Sequence, residues 1–245
     1  MSFLQRLREE VARFGLAVRA VFAPCAEDGV APLEDGREAR TLVLVGNVGS
    51  SLWPAFSASP EFADGQPHAL DRWSRRIGEG TAAGLGGRAL FPFGGPPHHP
   101  FQRWATRGGT LFPSPVGLLI DAQHGLWHAF RFAIALPDPA EEAAPTGSSP
   151  CLTCAARPCL SACPVDAFVE GEYRCRDCVD YLAKHADAAC WRIGCLARHA
   201  CPVGAARCYL PAHASFHMRA FVARHRGGGA APRTAFRPPR APPAP

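Results

Sequence analysis

Apolar residues recur at helix and strand spacing along the front half of the chain. Those between Phe3 and Phe14 lie three or four positions apart, which predicts an opening helix that Gly15 ends. The next stretch, "LAVRAVF" at 16–22, alternates as a half-buried strand does. "TLVLVGNV" at 41–48 is apolar and rich in β-branched residues, so it predicts a buried strand.

Three further segments complete the predicted elements of this half. The pattern around Leu70, Trp73 and Ile77 is helical, and "RALFPF" at 88–93 indicates a strand. "GLLIDAQHGLWHAFRFAIAL" at 117–136 holds two β-rich runs on either side of "DAQHG", which predicts a hairpin. Helices and strands mixed in this way predict an α/β or α+β fold.

The composition changes after this half and divides the chain. We predict an α/β domain at 1–136. The segment 137–150, "PDPAEEAAPTGSSP", has the proline, alanine and small polar residues of a linker. Cysteines then mark a module of helices and loops at 151–225, with a helical stretch, "HASFHMRAFVARH", near its end. The Pro/Arg-rich residues 226–245 have almost nothing to bury, so we expect them to be disordered.

The composition is that of a globular protein outside the membrane. Hydrophobic residues make up 47% of the 245 residues, which is too many for a disordered chain. No apolar run approaches the length of a membrane span. Charged residues interrupt the opening segment, where a secretory signal needs an apolar core. We therefore expect a cytoplasmic protein with no membrane partner.

Positive charge is concentrated towards the C-terminal end. The net charge is +5. Nine arginines lie from Arg192 onwards, and no acidic residue follows Asp187. Such a segment can attract nucleic acid or an acidic partner. Aromatic residues do not alternate with the basic ones, so a nucleic-acid partner is not predicted. Positive charge also stabilises anionic thiolate-bound clusters.

Ten of the eleven cysteines lie between Cys151 and Cys208. The cytosol keeps thiols reduced, so clustering of this kind indicates metal rather than disulfides. The first run is Cys151-x2-Cys154-x4-Cys159-x3-Cys163-Pro. It is close to the iron–sulfur run C-x2-C-x2-C-x3-C-P, in which the last cysteine serves a second cluster. Positions i and i+4 lie about 6 Å apart along a helix, so Cys159 and Cys163 can serve neighbouring clusters.

A second set of cysteines brings the count to eight, the number that two [4Fe–4S] clusters need. Its members are Cys178, Cys190, Cys195 and Cys201. We predict crossed ligation. The predicted ligands of the first cluster are Cys151, Cys154, Cys159 and Cys201. The predicted ligands of the second cluster are Cys163, Cys178, Cys190 and Cys195.

Three cysteines are spare in this assignment, and two alternatives stay open. Cys175 and Cys208 belong to the same module, whereas Cys25 stands alone and is expected to be a small buried hydrophobic residue. The pairs "CLTC" and "CRDC" also fit a structural zinc site, which would leave other cysteines unexplained. A single cluster is the second alternative, since the second set is irregularly spaced.

At these cysteines the module resembles the C-terminal part of epoxyqueuosine reductases, cobalamin-dependent tRNA-modifying enzymes with two [4Fe–4S] clusters. The segment "CVDYL" at 178–182 resembles their C-x-x-Y-L, which favours Cys178 over Cys175 as a ligand. The segment "GCLARHACP" at 194–202 resembles their second run. Arg198 stands where that family has a cysteine, and Cys190 is the proposed replacement.

The front half resembles the same family more faintly, and also the cobalamin-processing CblC proteins. The similar segments are "LREEVARFGLAVRAVF" and "LLIDAQHGLWHAFRFAIAL". The resemblance implies a nitroreductase-like α/β core that holds a corrinoid, with FMN as the second choice of cofactor. The Gly-Lys-Asn/His-Thr loop of the reductases is not matched, and the nearest segment is "RGGT" at 107–110. No residue is assigned as their catalytic acid.

Together these observations predict an iron–sulfur electron-transfer protein. The leading hypothesis is an oxidoreductase in which two clusters relay single electrons to a corrinoid or flavin in the front domain. The alternative is a ferredoxin-like electron carrier with a docking domain and no substrate of its own. Either function requires a protein that donates or accepts electrons. A zinc-stabilised scaffold is the third hypothesis.

Overall fold

A computed structural model describes residues 2–108, 110–140, 147–169 and 172–226. The predicted disordered tail lies outside these residues, apart from Arg226, and so does part of the predicted linker. The chain divides into two compact units. The first comprises Met1–Leu111 and His128–Gly147, and the second comprises Phe112–Trp127 and Ser148–Pro245. The second unit thus includes sixteen residues from within the predicted front domain.

Helices and strands alternate in the first unit, and helices predominate in the second. The helices are α1 Phe3–Ala12, α2 Trp53–Ser57, α3 Pro60–Ala63, α4 Ala69–Ala83, α5 Phe101–Arg107, α6 Pro158–Ser161, α7 Cys175–Lys184, α8 Ala189–Ile193, α9 Leu196–His199 and α10 Pro211–Arg226. The strands are β1 Ala17–Phe22, β2 Thr41–Val48, β3 Arg88–Leu90, β4 Leu111–Pro113, β5 Leu119–Asp121, β6 His128–Leu136, β7 Phe168–Val169 and β8 Glu172–Tyr173. The predicted mixed α/β fold is confirmed.

A four-stranded antiparallel sheet in the order β1-β2-β6-β3 forms the centre of the first unit. Strand β2 is buried from Thr41 to Asn47, so both faces of the sheet are covered at this strand. The predicted buried strand at 41–48 is therefore confirmed. The predicted strand at 88–93 is shorter than expected, since β3 ends at Leu90.

Helix α4 packs against β6 and β3 through an apolar face. Gly78 makes the approach close, because a Cβ at this position would lie 3.0 Å from atoms of the Phe132 and Phe91 rings. Trp73 is almost fully buried on the same helix, and its ring meets that of Phe56 edge-on. These large side chains form the hydrophobic core of the unit, which is the main source of its stability.

An ion pair joins α3 to α4. Nε of Arg76 donates to Oε1 of Glu61 at 2.5 Å, and its Nη2 donates to Oε2 at 3.0 Å. Glu61 is buried. The Arg76 guanidinium lowers the pKa of the Glu61 carboxyl to about 2, although burial acts in the opposite direction. The pair therefore holds the short helix α3 in place at neutral pH.

The predicted hairpin at 117–136 is wrong, because its two runs lie in different sheets. Strand β5 pairs with β4, whereas β6 lies between β2 and β3. The turn that joins two paired strands lies between β4 and β5, where the Ser114 backbone N–H donates to the Leu118 carbonyl at 3.0 Å. After β5, the Asp121 carboxylate accepts the backbone N–H groups of Gln123 and His124. "DAQHG" is thus a local turn, and β-rich runs on either side of a turn do not have to pair with each other.

Within the second unit, two glycines bring the turn after β5 against the chain that follows Cys201. A Cβ on Gly125 would lie 1.9 Å from the Val203 carbonyl oxygen, and one on Gly204 would lie 2.3 Å from the His124 carbonyl. Both glycines have positive φ, 59° and 69°. Only glycine allows this backbone approach without strain.

Candidate metal centre

Four of the predicted ligands line one pocket of the second unit. Cys151 and Cys154 lie in the loop before α6, Cys159 lies on α6, and Cys201 follows α9. Helices α6 and α9 pack against each other, which brings Cys201 to the first cysteine run. The other residues lining the pocket are Pro115, Ile120, Pro150, Arg157, Pro158, Pro202 and Val203. We refer to these four cysteines as the first thiol group.

The members of the first thiol group influence one another's ionisation. Burial raises the pKa of the Cys151 thiol, and the thiols of Cys201 and Cys154 raise it further. Burial also raises the pKa of Cys159, and the other three members add to the effect. The pKa of Cys201 is raised by burial and by Cys154. A positive metal centre would remove this mutual repulsion and stabilise the thiolates.

The remaining four predicted ligands interact in the same way. Cys163 follows α6, Cys178 lies on α7, Cys190 lies on α8, and Cys195 precedes α9. The pKa of the Cys178 thiol is raised to about 12, with burial as the largest cause. The thiols of Cys195, Cys163 and Cys190 also contribute to this rise. Burial raises the pKa of Cys190 as well, and Cys163 contributes. We refer to these four as the second thiol group.

Backbone N–H groups point at sulfur in the second thiol group. The Ala167 N–H donates to Sγ of Cys163 at 3.4 Å. Cys195 precedes α9, and hydrogen bonds from the backbone of Arg198 and Ala197 lower its pKa against the larger opposite effect of burial. Hydrogen bonds of this kind support ligating thiolates and tune the potential of the cluster they hold.

The three spare cysteines have other electrostatic neighbours, although Cys175 packs against the same hydrophobic cluster as Cys178. Burial raises the pKa of Cys175, and the residue that opposes this is Tyr173 rather than another thiol. Sγ of Cys208 lies 3.6 Å from Nδ1 of His199. Cys25, in the first unit, is exposed, and its thiol donates to Oδ2 of Asp28 at 3.3 Å. The expectation that Cys25 is a buried hydrophobic residue is therefore wrong, since the residue is exposed and its thiol forms a polar contact with a carboxylate.

Arg198 is held firmly beside the second thiol group. Its guanidinium carbon lies 4.6 Å from the ring centroids of both Trp127 and Tyr209. Its Nη2 donates to the Leu126 carbonyl at 2.5 Å. The charge of Arg198 also lowers the pKa of Cys195 against the effect of burial. A fixed cation therefore lies close to one of the predicted ligands.

The donor sets fit iron–sulfur clusters. Each thiol group supplies four soft sulfur ligands, the number that one cubane takes. Within the residues that the structure describes, no three His, Cys, Asp or Glu side chains converge tightly enough to hold a single metal ion. His213 and His217, whose Nε2 atoms lie 3.0 Å apart on α10, likewise form a pair and not a three-ligand site.

Sequence reasoning missed the segment that covers the first thiol group. Val116, Ile120 and Leu126 form a hydrophobic cluster with Cys159 and Cys201. These residues come from 112–127, a segment that ends 24 positions before Cys151, the first cysteine of the run. The segment carries apolar residues and two prolines but no ligand, so spacing rules for metal sites do not detect it.

No helix in the described part of the chain is both long and apolar enough to cross a membrane.

No protein-family model and no curated protein matches the chain. Solved structures do match it. A selenomethionine-labelled epoxyqueuosine reductase matches with a TM-score of 0.50 and 13% identity, over 85% of this chain and 68% of the other. Epoxyqueuosine reductase from Streptococcus thermophilus matches with a TM-score of 0.49 and 12% identity, over 83% and 66%.

A third match is epoxyqueuosine reductase with an epoxyqueuosine-modified tRNA-Tyr stem loop. Its TM-score is 0.45 and its identity 14%, over 84% of this chain and 67% of the other. The chain thus spans about two thirds of the length of these reductases. The predicted resemblance is confirmed at the level of the fold: the chain is similar in fold to epoxyqueuosine reductases over most of its length.

Proposed function

We propose that the second unit holds two [4Fe–4S] clusters, one on each thiol group, and that the protein is an iron–sulfur oxidoreductase. The observation that supports this most strongly is the pocket shared by Cys151, Cys154, Cys159 and Cys201. Fifty residues separate the first and last of these cysteines, yet they line one cavity, as the crossed ligation requires. A zinc site built from "CLTC" and "CRDC" would instead pair Cys151 with Cys175.

The chain's own residues would bind and insulate the clusters. The thiols would supply the ligands, and the apolar cluster of Val116, Ile120 and Leu126 covers the first group on the side of Cys159 and Cys201. The Ala167 N–H and Arg198 stabilise negative charge at the second group. When bound, the clusters supply one-electron transfer. Burial and hydrogen bonding to sulfur are the means by which a protein sets their potentials.

The first unit would hold the electron acceptor. We propose a corrinoid, with FMN as the second choice, on two grounds: the similarity in fold to epoxyqueuosine reductases and the CblC-like segments of the sequence. The protein itself would supply binding and orientation, and the cofactor would supply the chemistry. If the first unit holds no cofactor, the function is that of an electron carrier with a docking domain.

Metal and cofactor analysis tests these alternatives. The protein is expressed with added cobalamin and purified without oxygen, and iron, sulfide, cobalt and flavin are counted per chain. The proposal predicts about eight irons, about eight sulfides and bound cobalt. About eight irons without cobalt or flavin would favour the alternative function, an electron carrier with no cofactor in the first unit. Zinc without sulfide would refute the iron–sulfur proposal.

A nucleic-acid partner can be tested on the same preparation. The absence of a nucleic-acid partner stays a prediction, and the structural match that contains a tRNA stem loop makes tRNA the natural probe. Binding of a tRNA stem loop with an affinity that falls steeply with salt would contradict the prediction, because phosphate contacts make such binding salt-dependent. Affinity no greater than that for an unrelated RNA of the same length would agree with it.

A further inference from the structure

The loop between Cys151 and Cys159 brings the first thiol group to the surface. The six residues between the cysteines of this loop are Leu152, Thr153, Ala155, Ala156, Arg157 and Pro158. All but the proline are exposed, and the sulfur-bearing residues Cys151 and Cys154 are half-buried. Leu152 is 79% exposed, more than any other large hydrophobic residue in the described part of the chain. This exposed apolar side chain directly follows Cys151, in the loop that lines the pocket of the first thiol group.

The charge of this surface is positive. Arg157 is the one charged residue between Gly147 and Cys163. It has a left-handed backbone, with φ of 38°, at the start of α6, and its guanidinium forms no ion pair with the described residues. Its charge is close enough to lower the pKa of Cys151 against the effect of burial. The last lining segment of the pocket is formed by Cys201, Pro202 and Val203, and the exposed Arg207 follows it four residues later.

No exposed carboxylate offsets these arginines in the segments that line the pocket. The segment from Phe112 to Ile120 is uncharged, and Asp121 is buried with its carboxylate bonded to the backbone. From His199 to Cys208 the only acidic or basic side chain besides the histidine is Arg207. The surface over the first thiol group is therefore apolar at its centre and basic at its edge.

The geometry points to this surface, centred on Leu152 and Arg157, as the docking site for an acidic one-electron carrier protein. We call it the loop surface. The inference rests on the proposed function, because docking here is useful only if the first thiol group holds a cluster. One electron would pass from a reduced [2Fe–2S]⁺ carrier to an oxidised [4Fe–4S]²⁺ cluster, leaving [2Fe–2S]²⁺ and [4Fe–4S]⁺. No bond forms or breaks, and no proton moves.

The chemistry of the loop surface favours a protein over a nucleic acid. Two arginines neutralise few phosphates, and the loop has no aromatic side chain on which a base can stack. Transient redox complexes bury small interfaces, and complementary charge speeds and orients their encounter. One apolar contact with cations at its edge suits such a complex.

Binding of a plant-type [2Fe–2S] ferredoxin, an acidic carrier, tests the inference. The full chain with its clusters is titrated calorimetrically at low ionic strength. Arg157→Glu and Leu152→Ser should each weaken binding about tenfold, and the effect of the charge reversal should shrink at high salt. The matched controls are Arg224→Glu and Leu210→Ser, which change exposed residues of the same unit outside the pocket and should alter binding less than about twofold.

The rate of cluster reduction separates docking from the clusters themselves. Reduced methyl viologen is small and needs no docking site, so it should reduce the Leu152→Ser variant and both controls at the wild-type rate, and its rate with Arg157→Glu measures any effect of that charge on the cluster itself. Reduced ferredoxin should reduce the Arg157→Glu and Leu152→Ser variants about tenfold more slowly at low salt. If these variants carry full iron and bind ferredoxin as well as their controls do, the docking site is wrong while the clusters stand.

Two other results would also overturn the inference. Wild-type protein without iron would remove the proposed function and the docking site with it. If a tRNA stem loop binds the wild type, competes with ferredoxin and is lost from Arg157→Glu, the loop surface is a nucleic-acid site instead.

Discussion

Replacing Cys190 with alanine should remove one cluster and leave the other. Cys190 is buried on α8, and its thiol interacts with that of Cys163 in the second thiol group. A cubane that loses one of four thiolates exposes an iron corner to solvent and is readily lost. The first thiol group shares no ligand with Cys190. Iron should therefore fall from about eight to about four atoms per chain, with sulfide falling in proportion.

The matched control is Cys175→Ala. Cys175 lies on α7 one turn before Cys178, and the two cysteines form a C-x2-C pair of the kind that often binds metal. Its thiol is influenced by Tyr173 and not by the other cysteines. This variant should keep about eight irons. Iron and sulfide are measured after anaerobic desalting. Electron paramagnetic resonance after reduction should show two coupled clusters in the control and one isolated cluster in Cys190→Ala.

Two outcomes would refute the assignment. The first is the reverse pattern, in which Cys190→Ala keeps about eight irons and Cys175→Ala falls to about four. The second is loss of all iron from Cys190→Ala in a chain that remains folded by circular dichroism. That result would show that the two thiol groups are not separate sites.

Three further predictions concern stability and potential. Gly204→Ala should lower the free energy of unfolding by about 2–4 kcal/mol, because its Cβ would overlap the backbone of His124 and its φ is positive. Gly117 also has a positive φ but has open space around it, so Gly117→Ala should lower the free energy of unfolding by only about 1 kcal/mol. Urea unfolding measures both values, and equal losses would show that backbone overlap at Gly204 is not the cause. Arg76 lowers the pKa of Glu61 from 4.5 to about 2, so the ion pair contributes stability that is complete above pH 4.5 and declines as the pH falls towards 2. Because Arg76 is half-exposed, Glu61→Gln should lower the free energy of unfolding by only about 1 kcal/mol at pH 7. A Glu61 carboxyl NMR signal that titrates above pH 4 would contradict the assignment. Arg198→Met should lower the reduction potential of one cluster by on the order of 60 mV, which is a tenfold change in its reduction equilibrium, because a positive charge near Cys195 is removed. Arg198→Lys keeps the positive charge and should therefore change the potential much less. Redox titration followed by electron paramagnetic resonance measures the potential, and an equal shift in both variants would show that the charge is not the cause.

Local patterns predicted the elements of the fold but not their partners. The run at 41–48 is a buried strand, because consecutive apolar residues such as those at 42–45 point to both faces of a sheet and both faces must then be covered. The run at 117–136 has equally good strand signals, yet β5 and β6 belong to different sheets. Pairing is decided by contacts between residues far apart in sequence, and hydrophobic alternation carries no information about them.

At the candidate metal centre too, sequence patterns predicted the local features but not the contacts between residues far apart in the chain. The spacing of Cys151, Cys154 and Cys159 predicted a cluster-binding run, and the structure brings these cysteines to one pocket with Cys201. The cover supplied by Val116 and Ile120 could not be predicted, because an apolar segment upstream has no metal-ligand signature. Local patterning also did not predict that Cys25 would be exposed and hydrogen-bonded to Asp28.

A difference in hydrophobic support explains why one of the two proposed clusters should survive the loss of the other. Helices α6 and α9 have four residues each, which is too short for either to be stable alone, and each lies next to ligands of both thiol groups. A metal centre would hold such short helices by coupling its binding to their folding. The first thiol group has additional support, since Ile120 and Leu126 pack against Ala197 of α9 and against Cys159 of α6. The second group relies on Val179, Leu182 and Cys190, in which the thiol itself is part of the hydrophobic cluster. Removing Cys190 therefore weakens the support of the second group directly, whereas the apolar cover keeps α6 and α9 together for the first.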